Sequence, residues 1–105
     1  MSLIESQVFA ALGDPTRLKI ISRLSDGEAR PIGKLTAMTA ISRQGVTKHL
    51  KMLEHAGLVI NHRVGRESRF SLNPDGFRHA QSYLQTIERQ WDNALDRLRL
   101  HIEDG

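Results

Sequence analysis

Phe77, Leu84, Trp91 and Leu98 recur every seven residues, and Ala80, Ile87, Ala94 and His101 occupy the second heptad position beside them. An a/d seam of this kind marks a helix that packs along its length against other helices. The pattern predicts one helix from about Asp75 to Ile102, a rod of about 40 Å at about 1.5 Å per residue. A compact chain of 105 residues has a radius of gyration of about 13 Å. Much of the seam must therefore find a partner outside the chain's own core, and a self-complementary two-fold dimer is the economical solution. The segment Leu3 to Leu12 has apolar residues at helical spacing, Ser2 as N-cap and Gly13 past its end, and packs alongside. The expected dimer contacts are Leu3, Ile4 and Val8 from the first helix, and Phe77, Ala80, Leu84, Ile87, Trp91, Ala94 and Leu98 from the last.

The length suits a single domain spanning residues 1–105. With Phe9, Phe70, Phe77, Tyr83 and Trp91 as its only aromatic residues, the core must be mostly aliphatic. The absence of cysteine excludes structural disulfides, thiolate metal sites and a cysteine nucleophile together. The opening Met1 to Ser6 has no basic leader, and no apolar run approaches about 18 residues. The expectation is a cytoplasmic protein with no membrane segment.

Between the terminal helices the pattern is more varied. Asp14-Pro15-Thr16 starts a second helix, with Asp14 as cap and Pro15 at the first helical position, running to about Ser25 with Leu18, Ile21 and Leu24 on its buried face. Ser25-Asp26-Gly27 breaks it. After Pro31, Ile32, Leu35 and Met38 give a short third helix, and Thr39-Ala40-Ile41 leads to Ser42 as the next N-cap. From Arg43 to Ala56, Val46, Leu50 and Leu53 mark one face while Arg43, Gln44, Thr47, Lys48 and Lys51 take the other, and Gly57 follows where a left-handed C-cap belongs. Past Gly57 the period changes to that of strands: Leu58-Val59-Ile60, a turn at Val64-Gly65-Arg66-Glu67, then Arg69-Phe70-Ser71-Leu72. With Gly65 first in a type II′ turn, Arg66 stands at the hairpin tip. Asn73-Pro74-Asp75 begins the last helix. The fold class is mainly α with a small β-hairpin, in the order α-α-α-α-β-β-α, a winged helix-turn-helix paired through its first and last helices.

Charge gives this arrangement a use. The net charge is only +3, yet Arg43, Lys48, Lys51, Arg63, Arg66 and Arg69 face only Glu54 and Glu67 in the middle third. A positive middle third suggests a polyanionic partner, and a solvated basic face is the bland alternative. The major groove of DNA admits an α-helix, and a hairpin can reach the neighbouring backbone or minor groove. Ser42 and Thr47 suit phosphate, Lys48 and Lys51 suit charge neutralisation, and Gln44 or Arg43 can present paired groups to base edges, Gln44 best of all. His49 either bonds a phosphate or packs at the helix edge. Lys51 and Arg69 are equally well explained as surface charges.

The run Ala11-Leu12-Gly13-Asp14-Pro15-Thr16-Arg17-Leu18, the run Ile41-Ser42-Arg43-Gln44-Gly45-Val46-Thr47-Lys48-His49-Leu50-Lys51-Met52-Leu53-Glu54-His55-Ala56-Gly57-Leu58-Val59, then Gly65-Arg66 and Phe70-Ser71-Leu72, together resemble the ArsR family of winged-helix repressors. The resemblance spans most of the chain. It implies a homodimeric, cytoplasmic transcription factor, usually a repressor, that binds an imperfect palindrome in double-stranded DNA. By motif position Ser42, Arg43, Gln44, Thr47, Lys48 and His49 inherit DNA contact, and Arg66 inherits the wing's part. The chain also departs from the family. Where many relatives carry a cysteine pair before the turn, it reads Ala29-Arg30-Pro31-Ile32-Gly33-Lys34-Leu35, so thiolate sensing of arsenic or cadmium is excluded. A second family site on the last helix has its nearest equivalent in Glu88 and Gln90 with His101 and Asp104, and Gln90 is a poor zinc ligand. The expected metal and cofactor content is none, and any inducer is unknown.

No G-x-S-x-G, H-E-x-x-H or phosphate-binding glycine loop is present, and five scattered histidines make no catalytic constellation. The expectation is therefore not an enzyme. Two readings compete with a plain repressor: an inducible ligand sensor on the same fold, and a protein-interaction module that uses the Phe77 to Leu98 seam. Asp75 and His79, four residues apart, suit a local contact rather than a site.

Overall fold

The computed structural model describes residues 3–104, with side chains from 5 to 103. Eight elements follow in order: α1 (Leu3–Leu12), α2 (Pro15–Arg23), β1 (Arg30–Pro31), α3 (Ile32–Thr39), α4 (Arg43–His55), β2 (Val59–Val64), β3 (Glu67–Leu72) and α5 (Pro74–Asp104). Ser2, expected to cap α1, lies outside the described residues, as do the side chains of Leu3 and Ile4.

Local chemistry sets most boundaries. The Asp14 carboxylate accepts the Arg17 N–H at 2.9 Å, and Pro15 sits at the first helical position, where no amide is needed. Ser42 Oγ accepts the Gly45 N–H at 3.1 Å and opens α4. At the other end of α4, Gly57 takes φ +79°, its N–H donates to Glu54 O at 3.0 Å, and the Leu58 N–H donates to Leu53 O at 2.9 Å. That pair of bonds is a Schellman motif, which closes the helix and turns the chain into β2. Ala40, between α3 and α4, also adopts the left-handed region at φ +56°, although it carries a Cβ.

The strands form a three-stranded antiparallel sheet in the order β1-β3-β2. The hairpin was expected; β1 is an addition to it, a two-residue strand in which Arg30 pairs with Phe70 and Pro31 with Arg69. Gly65 has φ +64° and Arg66 has none of the positive φ that a type I′ turn needs, so the two-residue turn has the backbone sign pattern of type II′.

One core joins the elements: Val8, Ala11, Ile20, Leu24, Leu35, Val46, Leu50, Leu53, Leu58, Val59, Phe70 and Ala80. It is aliphatic but for Phe70, as the composition required. Two expectations change here. In α2 the buried residue is Ile20 with Leu24 following, while Leu18 is 48% exposed. Val8 and Ala80, assigned to a dimer contact, are buried within the chain's own core, and Phe77 packs against that core. The first heptad of the seam thus serves the domain itself.

The rest of α5 leaves the domain. Leu84, Ile87, Trp91 and Leu98 are all exposed, Trp91 by 63%, and Leu95, Leu100 and Ile102 are exposed beside them. The radius of gyration is 18.5 Å and the molecule measures 68 × 24 × 24 Å, well beyond a compact chain of this length.

The base of this projection is tightly fixed. The Asn73 N–H donates to Leu58 O and its Nδ2 to Gly57 O, each at 2.9 Å. Gly76 lies so close that a Cβ there would come within 2.1 Å of Gly57 O. Phe9 of α1 rests against Tyr83 with ring centroids 5.8 Å apart.

Candidate nucleic-acid interface

Helix α4 buries Val46, Leu50 and Leu53, which turns the opposite side of the helix outward. Arg43, Gln44, Thr47, Lys48 and Lys51 line one shallow concavity on that side. The spacing of the charged and polar residues has this consequence because positions three and four apart share a helical face. Ser42, Arg43, Gln44, Lys48 and Lys51 are exposed; Thr47 and His49 are half-buried.

Hydrogen bonding refines what each group offers. Ser42 Oγ uses a lone pair on the Gly45 N–H, which leaves its own proton free for an external acceptor. Thr47 Oγ1 donates its proton to Arg43 O at 2.8 Å, so toward solvent it presents a methyl group and a lone pair. A phosphate needs donors, so the expected Thr47–phosphate bond does not suit this rotamer; its methyl suits an apolar contact with a thymine methyl instead. His49 faces inward: its Nδ1 is 3.5 Å from Arg17 Nη1, at the edge of the helix rather than on the outer face.

The wing supplies a second cationic group. Arg66 is exposed at the turn, and with Arg43 it lines a cleft of about 590 Å³ also bounded by Pro31, Ile32, Gly33, Glu67 and Ser68. Arg43 is therefore turned toward the start of α3 and the wing, while Gln44 lies on the open side. Arg69 is paired with Glu67 at 3.0 Å, which removes it from the set of unpaired wing cations.

Arg17 was not singled out from the sequence, yet it ties three helices together. Its Nε and Nη2 donate to the carbonyls of Ala11 and Ala10 at the end of α1, at 2.6 and 3.2 Å, and Nη1 reaches Met52 Sδ of α4 at 3.4 Å. The signal was the basic residue one turn inside a capped helix that follows directly on another helix's open carbonyls. The Arg17 backbone N–H holds the Asp14 carboxyl below its ordinary pKa, and the Arg17 and His49 charges add to that.

Among the described residues no group of three or more His, Cys, Asp or Glu could hold a metal ion, and no helix is long and apolar enough to cross a membrane. Asp75 forms a local contact, but with Arg78 at 3.0 Å rather than with His79.

A helix-turn-helix domain model matches residues 12–62. The transcriptional repressor SdpR of Bacillus subtilis is 30% identical over 90 residues, 86% of this chain and 99% of that one. The HTH-type transcriptional regulator Rv2034 of Mycobacterium tuberculosis is 34% identical over 89 residues, covering 85% and 79%. Among solved structures, an ArsR-like transcriptional regulator from Rhodococcus sp. RHA1 superposes with a TM-score of 0.81 at 33% identity, over 90% of this chain and 89% of that one.

Proposed function

The chain belongs to the ArsR family of winged helix-turn-helix, DNA-binding transcriptional regulators, and from that premise we propose that it is a cytoplasmic repressor acting as a homodimer on an imperfect palindromic operator. The observation that carries the reading is the single outward face of α4, where Arg43, Gln44, Thr47, Lys48 and Lys51 lie together. Gln44 reads base edges through its paired donor and acceptor, and Ser42, Lys48 and Lys51 hold the phosphate backbone. Arg43 and Arg66 act from the two sides of their cleft on the adjoining backbone. His49 positions α4 against Arg17 rather than touching DNA. The dimer forms through the projecting stretch of α5, the exposed Leu84, Ile87, Trp91 and Leu98 with the half-buried Ala94, with α1 alongside, and residues 1–105 act as one domain. Two such domains would set their recognition helices about 34 Å apart, one turn of DNA. With no cysteine, the regulator does not sense metals through thiolates.

Fluorescence anisotropy on the chain's own upstream DNA and on a scrambled duplex, each at two salt concentrations, tests this. The expected result is a preference for the upstream DNA at both salts and a steep loss of affinity as salt rises, because each neutralised phosphate releases counterions. Gln44→Ala should relax the preference at a cost of about 1–3 kcal/mol, whereas Arg66→Ala should weaken all sequences alike and lower the salt slope by about one. Equal loss on every duplex for both variants would refute the division between helix and wing.

A further inference from the structure

We propose that the groove between α1 and α4 binds a small amphipathic organic anion, a carboxylate on an aliphatic body, and that its occupancy loosens the grip on DNA. The second half rests on the DNA-binding reading above; the first does not. The groove is open to solvent and measures about 440 Å³, a volume within the usual range for small-molecule sites. Its walls are Ala10 and Ala11 of α1, Met52 of α4 and Ala56 just past that helix, and its rim carries Gln7, Arg17, Lys51 and His55. Methyl groups and a thioether form the floor, basic groups stand around it, and no carboxylate among the described residues lines it. An inorganic anion would meet the charges and leave the floor wetted. A neutral apolar molecule would cover the floor and leave the cations unanswered.

The electrostatic end of the site is already oriented. Arg17 is anchored by two carbonyl bonds, yet its Nη1 rests only on soft or distant acceptors, Met52 Sδ at 3.4 Å and His49 Nδ1 at 3.5 Å. It has no ion pair among the described residues. A carboxylate is a much stronger acceptor for that N–H than a thioether. Met52, 46% exposed, is flexible enough to reshape itself around an aliphatic chain.

Lys51 supplies the link to DNA, because it lines both this groove and the concavity on the outer face of α4. An ammonium drawn onto a carboxylate in the groove is withdrawn from phosphate. The two ligands then compete for one charge, a coupling that must act equally in both directions.

The test uses the full chain with methyl-labelled methionine, since Met52 is one of only three methionines and Met38 serves as an internal control. Titration with sodium octanoate should shift the Met52 methyl resonance and leave Met38 in place; acetate and octanol should leave both in place. In the anisotropy assay, saturating octanoate should raise the Kd for the upstream duplex about tenfold and flatten the salt slope by about one. Ala10→Leu, at an exposed helical position in the groove wall, should abolish both effects and keep the basal DNA affinity. The site is refuted by a static Met52 resonance, by an equal response to octanol, or by an unchanged response in Ala10→Leu. A Met52 shift without any change in DNA affinity refutes the coupling alone, and a Met52 resonance that moves on simple dilution means a second copy of the chain covers the groove. Absence of DNA binding with the Met52 response intact would overturn the DNA reading and the coupling, and leave the site standing.

Discussion

Truncating Trp91 to alanine is the most direct probe of what the projecting part of α5 is for. The side chain is 63% exposed in the isolated chain. A tryptophan presents at most about 250 Å², so about 160 Å² is available for burial in a dimer. At about 25 cal/mol per Å² that is about 4 kcal/mol, of which alanine retains a part, leaving about 3 kcal/mol per chain. A two-fold interface counts the loss twice, about 6 kcal/mol, and incomplete burial halves it to about 3 kcal/mol. Since about 1.4 kcal/mol is a tenfold change, Trp91→Ala should raise the dimer dissociation constant by between about 100-fold and about 10,000-fold. Sedimentation equilibrium over a dilution series measures this. Far-ultraviolet circular dichroism provides the control, because a residue outside the core should leave helix content unchanged when the chain is fully dimeric or fully monomeric. A dissociation constant within threefold of the parent's would refute the argument that this stripe pairs two copies.

Other perturbations address the domain itself. Gly76→Ala would set a Cβ 2.1 Å from Gly57 O, a backbone atom that cannot turn aside, so the start of α5 must shift; urea denaturation should register a loss of about 1–3 kcal/mol, and an unchanged midpoint would show that the close approach is not rigid. Asp14 has a depressed carboxyl pKa, caused first by the Arg17 backbone N–H, so its contribution is complete above about pH 4 and fades as pH falls through the lowered value. Asp14→Asn keeps an acceptor at the cap without the titration; it should match the parent near neutrality and lose less stability between pH 5 and pH 2.5, and an identical acid loss would assign that limb to other carboxylates such as Asp26, which is also lowered, chiefly by the Glu28 N–H.

Much of the fold and of the outward face of α4 was legible from residue order. Val46, Leu50 and Leu53 recur at helical spacing, Ser42 and Gly57 bracket them, and these three facts together place the polar residues outside. Gly65-Arg66 specified the wing turn because a two-residue hairpin loop tolerates few conformations. The failures share a physical origin, since each depends on what lies across space. β1 has two residues, one of them proline, and exists only because Phe70 and Arg69 present an edge to pair with. In α2 two apolar faces compete, and the position of α3 and α4 decides for Ile20 over Leu18. The heptad pattern ran unbroken through Ala80, but nothing in it tells where the domain's own core ends and the exposed rod begins. Arg17 donates to carbonyls, which every residue possesses, so only its place one turn inside a capped helix that follows another helix's end points to its partners.

The fixed base of α5 makes the helix a lever arm. Its 31 residues extend about 46 Å from the junction where Asn73 and Gly76 meet Gly57. A rotation of about 5° at that pivot displaces the tip by about 4 Å. The pivot also adjoins the C-terminal turn of α4, so one small junction sets the direction of the projecting helix relative to the polar face of α4. Under the proposed function, angular tolerance at three small residues, rather than the strength of any single contact, would govern how accurately two paired copies match the helical repeat of their site.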